Sequence, residues 1–324
     1  MSEGRSNYKL LAKSIRENSV FDVASITKAI PLAMVTLLLV DQGKVRLDTP
    51  VVSLIPAFDT DPAKREVTLL HLLTNTLHLR LPALSTFKRF ESEDIVEIVC
   101  KAPLAAPPGT IAMYSNASAL LLSVCIMKSE HAPLGMLAKT YFFDPLRMYD
   151  TTFDPNSYGD NPRVVPTEYD FWRDRYLRGE VHDESTYALQ KKYGRDAIGI
   201  AGLFATAPDM LTFLQMLLNA GKLAGRTFLS EQQVTDMHTK HFPDVTDAGG
   251  LGFALYPQPY MGHCGTSQTF GKTGFTGCMV MADRYKELGL VILSNYHYPY
   301  RKTDLAPNQQ FRANIADIVF CNRK

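Results

Sequence analysis

The sequence predicts an α/β protein of the α+β type, with a mainly helical lobe followed by an antiparallel sheet and a terminal helix. The first two thirds of the chain contain several apolar segments of helical length, some of them preceded by helix-capping residues. The last third contains shorter apolar segments separated by glycine-containing and polar turns, which is typical of strands. At 324 residues, we expect one two-lobed domain, divided into residues 21–230 and 231–324.

The most apolar segment predicts a core helix over residues 25–42. Its apolar residues run from Ala29 to Val40, and Gly43 is placed to end the helix. A membrane-spanning helix needs about 20 apolar residues, so this shorter run excludes a span. Pro31 lies one turn into the segment and lacks a backbone N–H, so the first turn should be irregular.

Capping residues and periodicity predict the remaining elements. Thr206, with Asp209 three residues later, fits a capping box, and Ser230 begins a second capped helix. Residues 144–195 lack periodicity and are expected to form a long irregular excursion. Three strands are expected within 266–295. Further helices are predicted over 67–76, 92–102, 117–130, 206–221 and 308–320.

Composition excludes several classes of function. Hydrophobic residues make up 46% and charged residues 21% of the chain, and the net charge is +1, which gives no electrostatic surface for nucleic acid.

The N-terminus has no signal-peptide pattern. Unpaired thiols and this N-terminus favour the cytoplasm, or the periplasm if the native N-terminus is missing. The cysteines are odd in number, lack CxxC spacing and are expected to be buried free thiols: Cys100, Cys125, Cys264, Cys278 and Cys321.

Ser25 and Lys28 form the first candidate reactive pair. Positions i and i+3 share one face of a helix, so the two side chains can meet. A serine becomes a nucleophile when a neighbouring base takes its proton, and a lysine can do so only when it is neutral. Desolvation by the apolar segment that follows would favour the neutral amine. The ordinary alternative is a capping serine beside a surface lysine.

Two further motifs accompany this pair. Tyr114 and Asn116 follow a Pro-Pro-Gly turn, and Lys272, Thr273 and Gly274 lie in a strand-like segment flanked by glycines. Structural roles remain open for each of them, because asparagine is common in turns and glycines mark bulges.

In this order, the three motifs resemble those of the penicillin-recognising serine hydrolases, which include class C β-lactamases, D-alanyl-D-alanine peptidases and β-lactamase-like esterases. The resemblance extends from Phe21 to near the C-terminus. It implies a β-lactamase/transpeptidase-like fold and an acyl-enzyme mechanism that needs no cofactor or metal.

The resemblance also implies roles for individual residues. Ser25 would be the nucleophile, and Lys28 and Tyr114 would share the proton transfers. Asn116 would hold Lys28 and the substrate. Lys272 would bind a substrate carboxylate and lower the pKa of Tyr114.

The substrate-binding strand is expected to supply a backbone donor as well. Thr273 and Gly274 would line the substrate site beside Lys272. The backbone N–H groups of Ser25 and Phe275 would form the oxyanion hole.

The sequence departs from the related proteins in two places. Close relatives often have histidine where this chain has Lys272, which favours a substrate with a carboxylate. They usually show a histidine followed by Ser-Gly where this chain has Asn75, Leu77 and His78, so the local loop should differ. His182 and Asp183 could line the cleft, but a structural hydrogen bond is the favoured role.

Three functions remain open. The chain could hydrolyse β-lactams or D-alanyl peptides, it could hydrolyse small carboxylic esters with the same residues, or it could be a catalytically weak binding or assembly protein. The partner in the first two cases is a small-molecule or peptide substrate.

The N-terminal segment raises a structural expectation. Relatives place a helix and two strands before the nucleophile, whereas only 24 residues precede Ser25 here. We therefore expect the sheet to lack those two strands. Residues 288–294 would then form an exposed apolar edge, and such an edge can pair with another chain to form a homodimer.

Overall fold

The computed structural model describes residues 1–10, 12–84, 86, 94–157 and 159–322. Helices dominate the chain up to residue 237, and the main sheet follows. The α-helices are α1 (Met34–Asp41), α2 (Val51–Leu54), α3 (Leu69–Leu73), α4 (Ile95–Lys101), α5 (Asn116–Glu130), α6 (Leu134–Ala138), α7 (Glu184–Tyr193), α8 (Ala207–Leu218), α9 (Glu231–Met237) and α10 (Ala306–Cys321).

The segment predicted as one helix over 25–42 is broken in the structure. A tight 3-10 turn spans Ala24–Lys28, a wider turn spans Ala29–Ala33, and α1 begins only at Met34. Ile30 inside the break has non-helical dihedral angles, φ −116° and ψ 108°. The proline at position 31 causes this, because it cannot donate to a helical hydrogen bond. The prediction of a single helix over 25–42 was therefore wrong, and the prediction of an irregular first turn is confirmed.

The predicted helices at 67–76, 117–130, 206–221 and 308–320 are confirmed as α3, α5, α8 and α10. The helix predicted over 92–102 is confirmed as α4, except that residues 92 and 93 lie outside the described part of the chain. The side chains of Thr206 and Ser230 cap α8 and α9 by accepting from the backbone N–H groups of Asp209 and Gln233. The prediction for 144–195 was wrong in part, because α7 lies inside it. Asp183 caps α7, whose mostly polar sequence gives little apolar periodicity.

The main sheet is antiparallel, and in the described residues it has four strands in the order β10-β9-β8-β7. These are β7 (Ala254–Leu255), β8 (Thr269–Thr273), β9 (Met279–Asp283) and β10 (Leu288–Ile292). The prediction of three strands within 266–295 missed β7, a two-residue strand that pairs with Gly271 and Phe270. Helices α8 and α10 pack against the sheet.

The N-terminal residues add nothing to this sheet in the described part of the chain. Their strand, β1 (Phe21–Asp22), pairs with β4 (Phe204–Ala205) instead. As far as the described residues go, the sheet thus lacks the two N-terminal strands, as the sequence predicts, and β10 and β7 are its two edges. The remaining ribbons pair β2 (Tyr169–Asp170) with β3 (Arg175–Tyr176), and β5 (Lys222–Leu223) with β6 (Arg226–Thr227).

The expectation of five free thiols was wrong for two of them. Cys264 and Cys321 form a disulfide that joins the end of α10 to the segment before β8. The other three cysteines are free and buried, as expected. No sequence pattern indicates this pair, because 57 residues separate its members and packing alone brings them together.

One apolar stretch in the described residues, Ala24–Asp41, is long enough to cross a membrane, and 78% of its span lies buried inside the fold. Asn116–Glu130 and Leu134–Phe143 together would meet the same criterion only across a 72° bend. Burial of this kind is typical of core helices.

Candidate active site

Ser25 lies in a turn whose backbone is held from one side by Asp22. The preceding residue, Ala24, has φ +52°, a left-handed conformation that is unfavourable for a residue with a Cβ. Asp22 Oδ1 accepts from the Ala24 N–H at 2.8 Å, and its other oxygen accepts from the His182 N–H at 2.9 Å. The buried carboxylate thus stabilises the turn that presents Ser25.

Ser25 Oγ contacts both of the candidate proton carriers. Lys28 Nζ donates to it at 3.0 Å, and the Tyr114 hydroxyl donates to it at 2.8 Å. Lys28 Nζ also donates to the carbonyl of Ile200 at 2.7 Å. The structure therefore brings together three residues that are separated by up to 89 positions in the sequence.

Desolvation shifts the pKa values of Lys28 and Tyr114 in opposite directions. It lowers the pKa of Lys28 to about 7, although the nearby Asp183 carboxylate acts in the opposite direction. Desolvation also raises the pKa of Tyr114. Lys272 lowers the pKa of Tyr114, as expected from the sequence, but desolvation outweighs this effect, so the pKa of Tyr114 is raised overall. Near neutral pH, Lys28 is the group that can accept a proton readily.

Strand β8 ends beside the nucleophile turn. Its last two residues are Lys272 and Thr273, and Gly274 follows them directly. The Lys272 ammonium lies 4.7 Å from the centre of the Tyr114 ring, and desolvation lowers the pKa of this buried lysine. A Cβ on Gly274 would lie 2.3 Å from the Val23 carbonyl oxygen. Only glycine lets the strand end approach the turn this closely.

The residues expected to form the oxyanion hole are also close to the site. Ser25 and Phe275 line two adjoining cavities. Among the described residues, neither of their backbone N–H groups donates a hydrogen bond. Two such free donors facing a cavity are what a developing oxyanion requires.

Asn116 differs from the expectation. It begins α5 behind the capping residue Ser115, and it lines the larger cavity. No hydrogen bond joins Asn116 to Lys28 in the described structure; Lys28 binds the Ile200 carbonyl instead. Asn116 is thus free to bind a ligand, and a backbone oxygen replaces it as the partner of the lysine.

Two cavities meet at Ser25 and Tyr114. The larger, of about 520 Å³, has a wall of leucines, and the smaller, of about 420 Å³, contains the cationic residues Lys272 and Arg312. The leucines of the larger cavity are Leu77, Leu79, Leu81 and Leu84. A substrate could therefore place its acyl part on one side of Ser25 and its leaving group on the other.

His182 has the structural role favoured by the sequence, and it lines the larger cavity as well. Its Nδ1 lies 3.2 Å from Asp22 Oδ2. Its ring stacks on Phe275, which stacks in turn on His297 at 4.1 Å. Sequence reasoning missed Asp22 and His297, since neither belongs to a motif.

Comparisons with known proteins bear on the family of this chain. The sequence profile of the family described as Beta-lactamase matches residues 4–314. A protein of Salmonella enteritidis named "Putative D-alanyl-D-alanine carboxypeptidase" is 28% identical over 331 residues, which cover 92% of this chain and 75% of that protein.

Solved structures show the same fold. The octameric penicillin-binding protein homologue from Pyrococcus abyssi superposes with a TM-score of 0.72 at 20% identity, covering 97% of this chain and 68% of that chain. EstCE1, a hydrolase with promiscuous acyltransferase activity, superposes with a TM-score of 0.72 at 18% identity, covering 97% of this chain and 88% of that chain. With its family profile matched over nearly the whole length, the chain belongs to the β-lactamase family and is a serine hydrolase.

Proposed function

We propose that Ser25 is the nucleophile of an acyl-enzyme mechanism, with Lys28 as its general base and Tyr114 as a proton carrier. The observation that supports this most is the contact of Ser25 Oγ with Lys28 Nζ at 3.0 Å and with the Tyr114 hydroxyl at 2.8 Å. A lysine whose pKa is about 7 is neutral in a large fraction of molecules at neutral pH.

The proposed reaction has two stages. Lys28 takes the hydroxyl proton as Ser25 Oγ bonds to the substrate carbonyl carbon, and the N–H groups of Ser25 and Phe275 stabilise the oxyanion. The bond to the leaving group then breaks; Tyr114 donates its hydroxyl proton to that group and regains a proton from Lys28, which returns to the neutral amine. Water hydrolyses the Ser25 ester in the second stage, with the same residues moving its protons.

We propose D-alanyl peptides or β-lactams as the substrates. Both carry a carboxylate, and the smaller cavity offers Lys272 and Thr273 at the end of β8 to bind one. Asn116, which has no side-chain hydrogen bond in the described structure, would bind the substrate amide from the larger cavity. The carboxypeptidase name of a relative that covers 92% of this chain supports the same class.

A second candidate is the hydrolysis of small carboxylic esters. The leucine wall of the larger cavity favours it, because such a surface binds an apolar acyl chain without a peptide partner. The fold shared with the hydrolase EstCE1 is compatible with this alternative.

Covalent labelling tests the nucleophile. Incubation with a fluorophosphonate should attach one label to Ser25, located by peptide mass spectrometry, and Ser25→Ala should remove it. Labelling at another residue would refute the assignment. The absence of any label would instead favour the third possibility, a catalytically weak binding protein.

A comparison of substrates tests the choice between peptides and esters. Lys272→Ala should reduce the hydrolysis of D-alanyl peptides or β-lactams far more than that of neutral p-nitrophenyl esters, because only the former place a carboxylate beside Lys272. Equal losses, or ester hydrolysis alone in the unmodified protein, would favour the esterase.

We also propose that the protein self-associates through β10. This strand is one edge of the sheet in the described residues, and its backbone can pair with a second chain. A solved homologue with the same fold is named octameric, which supports assembly as a property of such chains.

A further inference from the structure

We propose that Arg312 is a positioning residue that orients the Phe275 N–H of the oxyanion hole. The inference rests on the proposed function and extends it to a residue outside the three motifs. Arg312 lies on α10, and its side chain is buried and reaches the backbone at the end of β8. Arg312 Nη2 donates to the Gly274 carbonyl at 2.7 Å and to the Cys278 carbonyl at 2.9 Å.

The contact with Gly274 controls the neighbouring donor through peptide geometry. The Gly274 carbonyl and the Phe275 N–H belong to one planar trans peptide group, so they point in opposite directions. By holding the carbonyl, Arg312 fixes the direction of the N–H. A rotation of this peptide would turn the N–H away and place a carbonyl oxygen where the oxyanion forms, which would repel it.

Other side chains bind the neighbouring parts of the same turn, and the Arg312 guanidinium binds the Gly274 carbonyl. His297 Nε2 lies 2.9 Å from the Phe275 carbonyl, and Thr276 Oγ1 donates to the Asp22 carbonyl at 2.7 Å. The Gly274 carbonyl accepts from Arg312 Nη2 at 2.7 Å and, more weakly, from the Gly277 N–H of its own turn at 3.2 Å; Arg312 is its only side-chain donor among the described residues. Arg312 therefore adds the shorter of the two hydrogen bonds that hold the 274–275 peptide in its orientation.

The position of the guanidinium is itself fixed. At the far end of α10, the Cys264–Cys321 disulfide and the hydrogen bond from Lys286 Nζ to the Phe320 carbonyl, at 2.8 Å, attach the helix to the sheet. Gly274 also contacts Val23 so closely that a Cβ on Gly274 would lie 2.3 Å from the Val23 carbonyl oxygen. The peptide is thus held between the helix and the nucleophile turn.

Burial without full pairing indicates that Arg312 is not present for stability alone. Its Nε is buried and has no hydrogen-bond partner in the described structure, and an unpaired buried donor costs free energy. Such a cost is typical of functional sites.

A pair of substrates distinguishes positioning from stability. The probes are p-nitrophenyl acetate and its thiono analogue, in which sulfur replaces the carbonyl oxygen and accepts hydrogen bonds weakly. In the unmodified protein the oxyanion hole should favour the oxygen ester. In Arg312→Lys, kcat for the oxygen ester should fall roughly 10- to 100-fold with KM little changed, whereas kcat for the thiono ester should change much less.

Arg163→Lys is the matched control, because this arginine pairs with Asp150 and lies outside both cavities. It should leave the preference for the oxygen ester unchanged. If Arg312→Lys folds poorly, the ratio of the two kcat values still reports on the folded fraction, since both substrates sample the same molecules.

The outcomes separate the two proposals. Equal losses for both esters in Arg312→Lys, or no loss at all, would overturn the role of Arg312 while Ser25 labelling stands. An unmodified protein that neither labels at Ser25 nor releases p-nitrophenol would overturn the proposed function, and the role of Arg312 with it.

Discussion

At the scale of single residues, the site depends on a lysine in an unusual protonation state. Lys28 is buried between Ser25 and the Ile200 carbonyl, and desolvation lowers its pKa to about 7. The uncharged amine therefore predominates above this pH and the ammonium below it. A lysine that titrates near neutrality can serve as a base, which an exposed lysine cannot do at the same pH.

The first prediction follows from this titration. The value of kcat/KM should rise as the pH passes through about 7, because Lys28 accepts the Ser25 proton only in its neutral form. Lys28→Arg should lose acylation by roughly 100- to 10,000-fold, since guanidinium stays protonated. Stopped-flow acylation rates measured across pH would show both effects.

Lys64→Arg provides the control for this substitution. Lys64 is also a fully buried lysine whose pKa is lowered by desolvation, but it binds Thr60 and the Cys100 carbonyl and lies outside both cavities. Acylation per folded molecule should be unchanged in Lys64→Arg. An active Lys28→Arg variant would remove Lys28 from the role of base.

At the scale of elements, the end of β8 must pack directly against the turn that presents Ser25. Gly274 makes this contact possible, because its missing side chain leaves room for the Val23 carbonyl. The approach places the end of β8 beside the turn, so that Ser25 and Phe275 line the same cavities. A small residue in one element thus sets the geometry between two elements that are far apart in sequence.

The second prediction concerns glycine at this contact. Gly274→Ala should force β8 away from the turn, lower the free energy of unfolding by about 1–3 kcal/mol and reduce kcat strongly. Gly289→Ala in β10 is the matched control, since its Cβ would find its nearest neighbour at 3.5 Å, an ordinary contact. Urea denaturation and steady-state kinetics of both variants would test this, and equal behaviour would contradict it.

At the scale of the whole molecule, the C-terminal part of the chain has one internal cross-link and one open sheet edge. The disulfide between Cys264 and Cys321 fixes the end of α10, and β10 leaves one edge of the sheet open in the described residues. The disulfide stabilises the fold internally, and the open edge of β10 offers a surface to another chain.

The third prediction is that the disulfide contributes measurably to stability. It closes a loop of 57 residues, for which chain entropy gives about 4 kcal/mol. A reducing agent should lower the Tm of the unmodified protein to that of Cys264→Ser. The variant itself should not respond to the reductant. An unmodified protein whose Tm is the same with and without reductant would refute the prediction.

The fourth prediction concerns the open edge. If β10 pairs with a second chain, the mass measured by light scattering should exceed that of the monomer, and the amides of Leu288–Ile292 should exchange slowly. Dilution should lower the mass and speed this exchange together. A monomer at every concentration with slowly exchanging β10 amides would contradict the proposal.

The sequence determined the parts of this protein that short-range geometry specifies. The spacing of Ser25 and Lys28 places both side chains on one face of a single turn, so their contact follows from local structure alone. The capped helices α8 and α9 and the strands β8 to β10 were also predictable, because caps, periodicity and turns act within a few residues.

Tertiary structure alone decided the contacts that packing makes. The carbonyl of Ile200 binds Lys28 from 172 residues away, and a backbone oxygen carries no sequence pattern. The pairing of Cys264 with Cys321 and the reach of Arg312 to Gly274 likewise depend on where α10 docks on the sheet. The pKa of Lys28 belongs with them, because desolvation depends on every element that surrounds the amine.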